Sequence, residues 1–203
     1  MKSKTWIRSN DQLEDRRLNF LEICKVLDSL NITFFLQGGS LLAARRDKKF
    51  IEWDWDVEIS LFSEDFLNNF EIIIIKLLEK DFKLQTCLKD KFLGKIELYK
   101  NYDHEVTGYT IFGWAHDTKK EIYWRNRIKF PDKFLKKFDK INFYGKVFNA
   151  PNPIDEYLKY QYGNWRVRKK TDVKEDYMSS NFYKKDNLLI KLGKKLFKYT
   201  RNL

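Results

Sequence analysis

Gly38-Gly39-Ser40 stands fourteen residues before an alternating run of acids, Asp54, Asp56 and Glu58. A glycine turn lets backbone N–H groups come close to a phosphate, and Ser40 adds a hydroxyl at the start of a short helix. Alternate residues of a strand project to one side, so the three carboxylates are expected to converge. Like charges on one edge repel unless a cation lies between them. Hard oxygen donors of this kind suit Mg²⁺, which also binds substrate phosphates. A phosphate cradle with metal carboxylates is the minimal apparatus for in-line phosphoryl or nucleotidyl transfer. A GGS sequence alone is only a turn, and an acidic strand face alone is a solvated one. Their pairing at this spacing points to chemistry.

The elements that must hold these residues are legible from periodicity and punctuation. Apolar residues from Leu13 to Leu30 recur at helical spacing over 12–30. A β-rich run, Ile32 to Leu36, ends at the glycines, and Leu41 to Arg46 reads as a short helix. Trp53 to Leu61 alternates, with Asp54, Asp56, Glu58 and Ser60 on one face and apolar side chains on the other. Ser63, followed by Glu64 and Asp65, is expected to cap a helix reaching about Lys80. Strands are expected near 82–87, 93–100, 106–115 and 121–130, with a hairpin turn at Tyr144-Gly145. A helix with Pro153 at its first position should end near Tyr162-Gly163. This order predicts an α/β (α+β) domain over 1–180 and a C-terminal extension over 181–203.

Composition narrows the class. Forty basic residues against 29 acids give a net charge of +11, which favours an anionic partner: nucleic acid, phosphorylated small molecule or membrane surface. The longest stretch without a formal charge, Ser29 to Ala44, holds Asn31, Gln37, two glycines and Ser40, so it is no bilayer-spanning helix. The first residues lack the apolar segment of a secretory signal. Cys24 and Cys87 have apolar neighbours and are read as buried thiols in a reducing, cytoplasmic compartment. Past Asn181, seven basic residues accompany leucines at helical spacing. Such a basic amphipathic helix suits peripheral contact with an anionic inner leaflet, or docking on its own domain.

The stretch FFLQGGSLLAARRDKKFIEWDWDVEI resembles the signature of the LicD family, which includes bacterial phosphocholine transferases and belongs to the nucleotidyltransferase superfamily. APNPIDEYLKYQYGNW matches a second family segment through Pro151, Tyr157-Leu158, Tyr162-Gly163 and Trp165. The resemblance runs from about residue 15 to 170. It implies a nucleotidyltransferase-like mixed sheet flanked by helices. It places Asp56 and Glu58 as the metal pair, with Asp54 as an additional metal-binding and catalytic acid. Gly38, Gly39, Ser40 and Arg46 fall at the phosphate-binding positions. Trp55 stands where relatives often have an acid. Thr110 stands where many relatives carry a later-strand aspartate. Asp54 is the preferred substitute, with Glu97 and Glu105 as alternatives; His104 and His116 are weaker candidates for a base.

The resemblance implies a transferase that moves a substituted phosphate, such as phosphocholine, from a CDP-linked donor to a hydroxyl of a surface glycan or glycolipid. Lipopolysaccharide or capsule biosynthesis would be the setting and Mg²⁺, or Mn²⁺, the cofactor. Two alternatives stand beside it. One is a nucleotidyltransferase using an NTP on a small molecule or protein; the other is a degenerate fold that binds nucleic acid. No aromatic–basic RNA motif supports the last, so no specific nucleic-acid partner is expected.

Overall fold

A computed structural model describes residues 7–102, 105–171 and 174–182. His104 and the basic segment beyond Phe182 lie outside the described residues. The strands form one mixed sheet, with β1 (Phe34–Leu36) and β2 (Asp56–Phe62) near its middle. After them come β3 (Lys83–Leu88), β4 (Lys95–Tyr102), β5 (Glu105–Asp117), β8 (Phe138–Phe143) and β9 (Lys146–Pro151). Their order is β3-β4-β5-β2-β1-β9-β8. β2 runs parallel to β5 and antiparallel to β1, and β1 runs parallel to β9. A hairpin of β6 (Ile122–Arg125) and β7 (Ile128–Pro131) branches from the end of β5.

The pleat explains the layers. Val57, Ile59 and Leu61 of β2 are buried, as are Tyr109 and Ile111 of β5 and Ile96 and Leu98 of β4. Helices α1 (Asn10–Ser29), α3 (Ser63–Asn68) and α4 (Phe70–Leu78) supply partners such as Phe20, Ile23, Phe66 and Ile73. The opposite pleat carries Asp56, Glu58 and Ser60. There α5 (Ile154–Tyr162) packs Tyr157 edge-on against Phe130 of β7 and against Phe134. Beneath the site a buried polar chain crosses the sheet: Trp114 Nε1 donates to Ser60 Oγ, Ser60 donates to Gln37, and Gln37 donates to Tyr157. Each of these polar groups has a partner, which buried polar groups require.

Several expected boundaries move, each for a visible reason. The 12–30 helix begins at Asn10, because Ser9 and Gln12 form a reciprocal capping box. The Ser63–Lys80 helix is two helices that break at Asn69, whose side-chain amide bonds back to the Asp65 carbonyl. Ser63 is inside the first of them, and its hydroxyl donates to Lys91 O instead of capping. The 121–130 strand is the β6–β7 hairpin, turned at Asn126 in the left-handed region. Cys24 is buried as expected, but Cys87 is exposed, because β3 is an edge strand open along its length. Tyr144-Gly145 does turn the β8–β9 hairpin, both residues having positive φ. Among the described residues no helix is long and apolar enough to cross a membrane.

Candidate active site

β2 starts at Asp56, so only Asp56 and Glu58 are strand acids. Asp54 belongs to the turn ahead of the strand, which corrects the expected alternation from Trp53. The turn is fixed from outside. Arg16 donates to the carbonyls of Asp54 (3.0 Å) and Trp55 (3.3 Å), and Arg8 donates to the Asp54 carbonyl as well. Both arginines are buried. Sequence reading missed them, although Arg16 falls in the apolar stripe of α1 between Leu13 and Phe20, where a charge needs a reason. Arg16→Met should destabilise the fold by at least about 2 kcal/mol, since it deletes two hydrogen bonds from a charged donor. Denaturant titration checks this.

The glycine turn opens α2 (Gly38–Leu42), which runs on without a break into a π-helical turn, Ala43–Asp47. Gly38 has φ +60°, and a Cβ there would overlap the Glu58 carboxylate; a Cβ on Gly39 would overlap that of Asp54. The glycines thus let two carboxylates lie directly on backbone. The Gly39 N–H donates to Glu58 Oε2 at 3.1 Å. Ser40 is buried, and its Oγ accepts from the Glu58 N–H at 3.0 Å, so it pins the acidic strand to the turn. The turn holds the acids as much as it faces a ligand.

Asp54, Asp56 and Glu58 line one cavity of about 340 Å³. Its other walls are apolar and aromatic, including Trp53, Trp55, Tyr162, Trp165 and Tyr177. Arg46 lines it too, but its guanidinium is engaged, donating to Asp47 Oδ2 and to the Trp165 carbonyl. Arg46 therefore braces the wall that carries Trp165. Arg45 pairs with Asp155 and Lys49 with Glu52, away from the acids. His116 hydrogen-bonds Asp132 and stacks on Tyr123, and it lines neither this cavity nor the one beside Glu97.

Electrostatics mark the acids as strained neighbours. Burial first, then the charge of Asp56, raises Asp54 to about 6. Burial, Asp56 and Asp54 raise Glu58 to about 8. A carboxylate raised on folding opposes stability once ionised, so the protein without metal should lose stability between about pH 4 and pH 8. Asp54→Asn should raise its melting temperature near pH 8 by about 2–4 °C, the shift that ~1 kcal/mol gives in a chain of this size. At pH 4 the two proteins should melt alike. Calorimetry at both pH values tests this.

Among the described residues, no three His, Cys, Asp or Glu side chains are grouped closely enough to cage an ion. Mg²⁺ is commonly held by one or two carboxylates, with substrate phosphates and water completing its shell. Two strand acids burdened by each other's charge fit that role. Thr110 is in register with Glu58 on β2 and with Glu97 on β4. The three side chains therefore share a face, and Glu97 stands one strand beyond the missing acid.

Residues 31–153 match the family described as LicD/FKTN/FKRP, nucleotidyltransferase domain. The chain belongs to this family. The match spans the glycine turn, the acidic strand and Thr110, and ends before Tyr162 and Trp165. Ribitol 5-phosphate transferase FKRP is 26% identical over 145 residues in Homo sapiens and 25% over 144 in Mus musculus. Each alignment covers 68% of this chain and 29% of the relative, so the chain spans under a third of those proteins. Uncharacterized protein T07A5.1 of Caenorhabditis elegans is 21% identical over 155 residues, 70% of this chain and 40% of that one. Among solved structures, ANT(2″)-Ia in complex with adenylyl-2″-tobramycin aligns at TM-score 0.44 and 13% identity, covering 70% of this chain and 73% of that one.

Proposed function

We propose that this chain transfers a substituted phosphate from a CDP-linked donor to a hydroxyl of a glycan or glycolipid. The observation that carries the reading is the pair Asp56 and Glu58, set against the Gly38-Gly39 turn at the mouth of an aromatic cavity. Family membership and the FKRP relatives support it.

In this reading the aromatic wall stacks the donor's base, and the diphosphate lies toward the acids. Asp56 and Glu58 would hold Mg²⁺ or Mn²⁺, which when bound neutralises phosphate charge. The acceptor hydroxyl oxygen attacks the distal phosphorus. A new O–P bond forms, the bond from that phosphorus to the bridging oxygen breaks, and CMP leaves with the oxygen. The acceptor proton passes to a carboxylate. Glu97 is better placed for it than Asp54, because it lines a cavity on the other side of Asp56 and Glu58. Glu97→Gln should lower kcat about a hundredfold with little change in donor KM, whereas a role for Asp54 as base would leave Glu97→Gln near wild type.

A screen of CDP-choline, CDP-ethanolamine, CDP-polyols and NTPs for turnover that requires a divalent cation tests the proposal. Release of CMP from a CDP-linked donor supports it. Pyrophosphate release from an NTP alone would replace it with nucleotidyl transfer.

A further inference from the structure

A second cavity, of about 380 Å³, opens beyond Asp56 and Glu58 and is unlike the first. Its walls carry Gln37, Lys95, Glu97, Phe112, Arg125 and Gln161. Lys95 and Glu97 neutralise each other in an ion pair of 3.0 Å. Arg125 has no such match. Its Cζ stacks 3.5 Å from the Phe112 ring centroid, and its Nε is buried with no hydrogen-bond partner among the described residues. Burial disfavours its charge, and the carboxylates of Glu58, Asp56 and Glu97 support it. Across the cavity, Gln161 is only 2% exposed and its Oε1 also has no partner.

A buried donor and a buried acceptor left unmade are costly unless something joins them. Guanidinium and phosphate match in charge and in fork geometry. A carboxamide oxygen accepts from a hydroxyl. A stacked guanidinium is the wrong neighbour for a quaternary ammonium group, which needs a cage of aromatic faces without a cation.

Building on the transferase reading, we propose that the second cavity is the acceptor subsite and takes a sugar or polyol that already carries a phosphate ester. Arg125 holds the phosphate and Gln161 a hydroxyl, and this turns another hydroxyl toward Glu97 and the donor phosphorus. Arg125 is a specificity residue for the acceptor, separate from the donor cavity.

The test needs no turnover. Sorbitol 6-phosphate, sorbitol and inorganic phosphate are titrated calorimetrically into the full chain in metal-free buffer, without donor. Wild type should bind sorbitol 6-phosphate at least about tenfold more tightly than sorbitol. Arg125→Gln should abolish that difference, Arg125→Lys should keep part of it, and Lys169→Gln on the donor side should leave it intact. Melting curves establish that each variant is folded. Equal binding of the two polyols by wild type overturns the proposal, as does absence of binding or an unchanged preference in Arg125→Gln. An equal loss in Lys169→Gln also overturns it, by placing the phosphate in the donor cavity. If the preference holds while no CDP-linked donor turns over, the subsite stands and the donor reading falls.

Discussion

Asp56→Asn and Glu58→Gln should each cut turnover by on the order of a thousandfold or more while the protein stays folded. Each change removes one charge from the pair that faces the donor cavity, and the amide is nearly the same size. In Glu58→Gln the side-chain oxygen can still accept from the Gly39 N–H, so the link between strand and turn survives. Without metal, each variant should be at least as stable as wild type, because a buried repulsion has been relieved. Thermal stabilisation by Mg²⁺ should shrink or vanish in both. Kinetics with a CDP-linked donor and melting curves with and without Mg²⁺ check the two halves. Near wild-type turnover in either variant would remove that residue from the metal pair.

Gly38→Ala should be nearly as damaging, by another route. At φ +60° an L-residue costs about 1–2 kcal/mol, and here the new methyl also overlaps Glu58. The carboxylate must move away from the Gly39 N–H, or the turn must rearrange. Either way an acid is displaced by an ångström or more, which costs on the order of a hundredfold in rate. Stability should fall by about 2 kcal/mol or more. Gly145→Ala makes a useful comparison: it too has positive φ, but a Cβ there meets nothing within 4 Å. It should cost stability but not turnover. Equal kinetic losses in the two variants would mean that the Gly38 effect is backbone strain alone.

Much of this site was legible in the sequence, because its chemistry is carried by short, local patterns. Glycine turn, acids and the Tyr162–Trp165 wall all follow from spacing along one or two elements. The Asp54 error has a physical origin: a strand and a turn can both present alternating acids, and only the Arg8 and Arg16 contacts to the Asp54 and Trp55 carbonyls decide between them. Those contacts span 46 and 38 residues, beyond the reach of periodicity. Arg46 looked like a phosphate ligand because a lone basic residue after a glycine turn carries no sign of its partner. Asp47 beside it, and the Trp165 carbonyl 119 residues away, claim it. Glu97 could be named only as one of several acids until the β4–β5–β2 register placed it across Thr110 from Glu58. Arg125 left no signal at all, since its meaning depends on Phe112 of the neighbouring strand and on a cavity assembled from distant segments.

The central claim is that the acidic strand moves a substituted phosphate and releases CMP. Mass spectrometry of the acceptor product tests it most directly, using a CDP-polyol donor with Mg²⁺ and a phosphorylated polyol acceptor. The account predicts that the acceptor gains the mass of a phosphopolyol in equal amount to CMP released, and that Asp56→Asn yields neither. An acceptor that instead gains a cytidylyl group, or the same phosphopolyol product from Asp56→Asn, would contradict it.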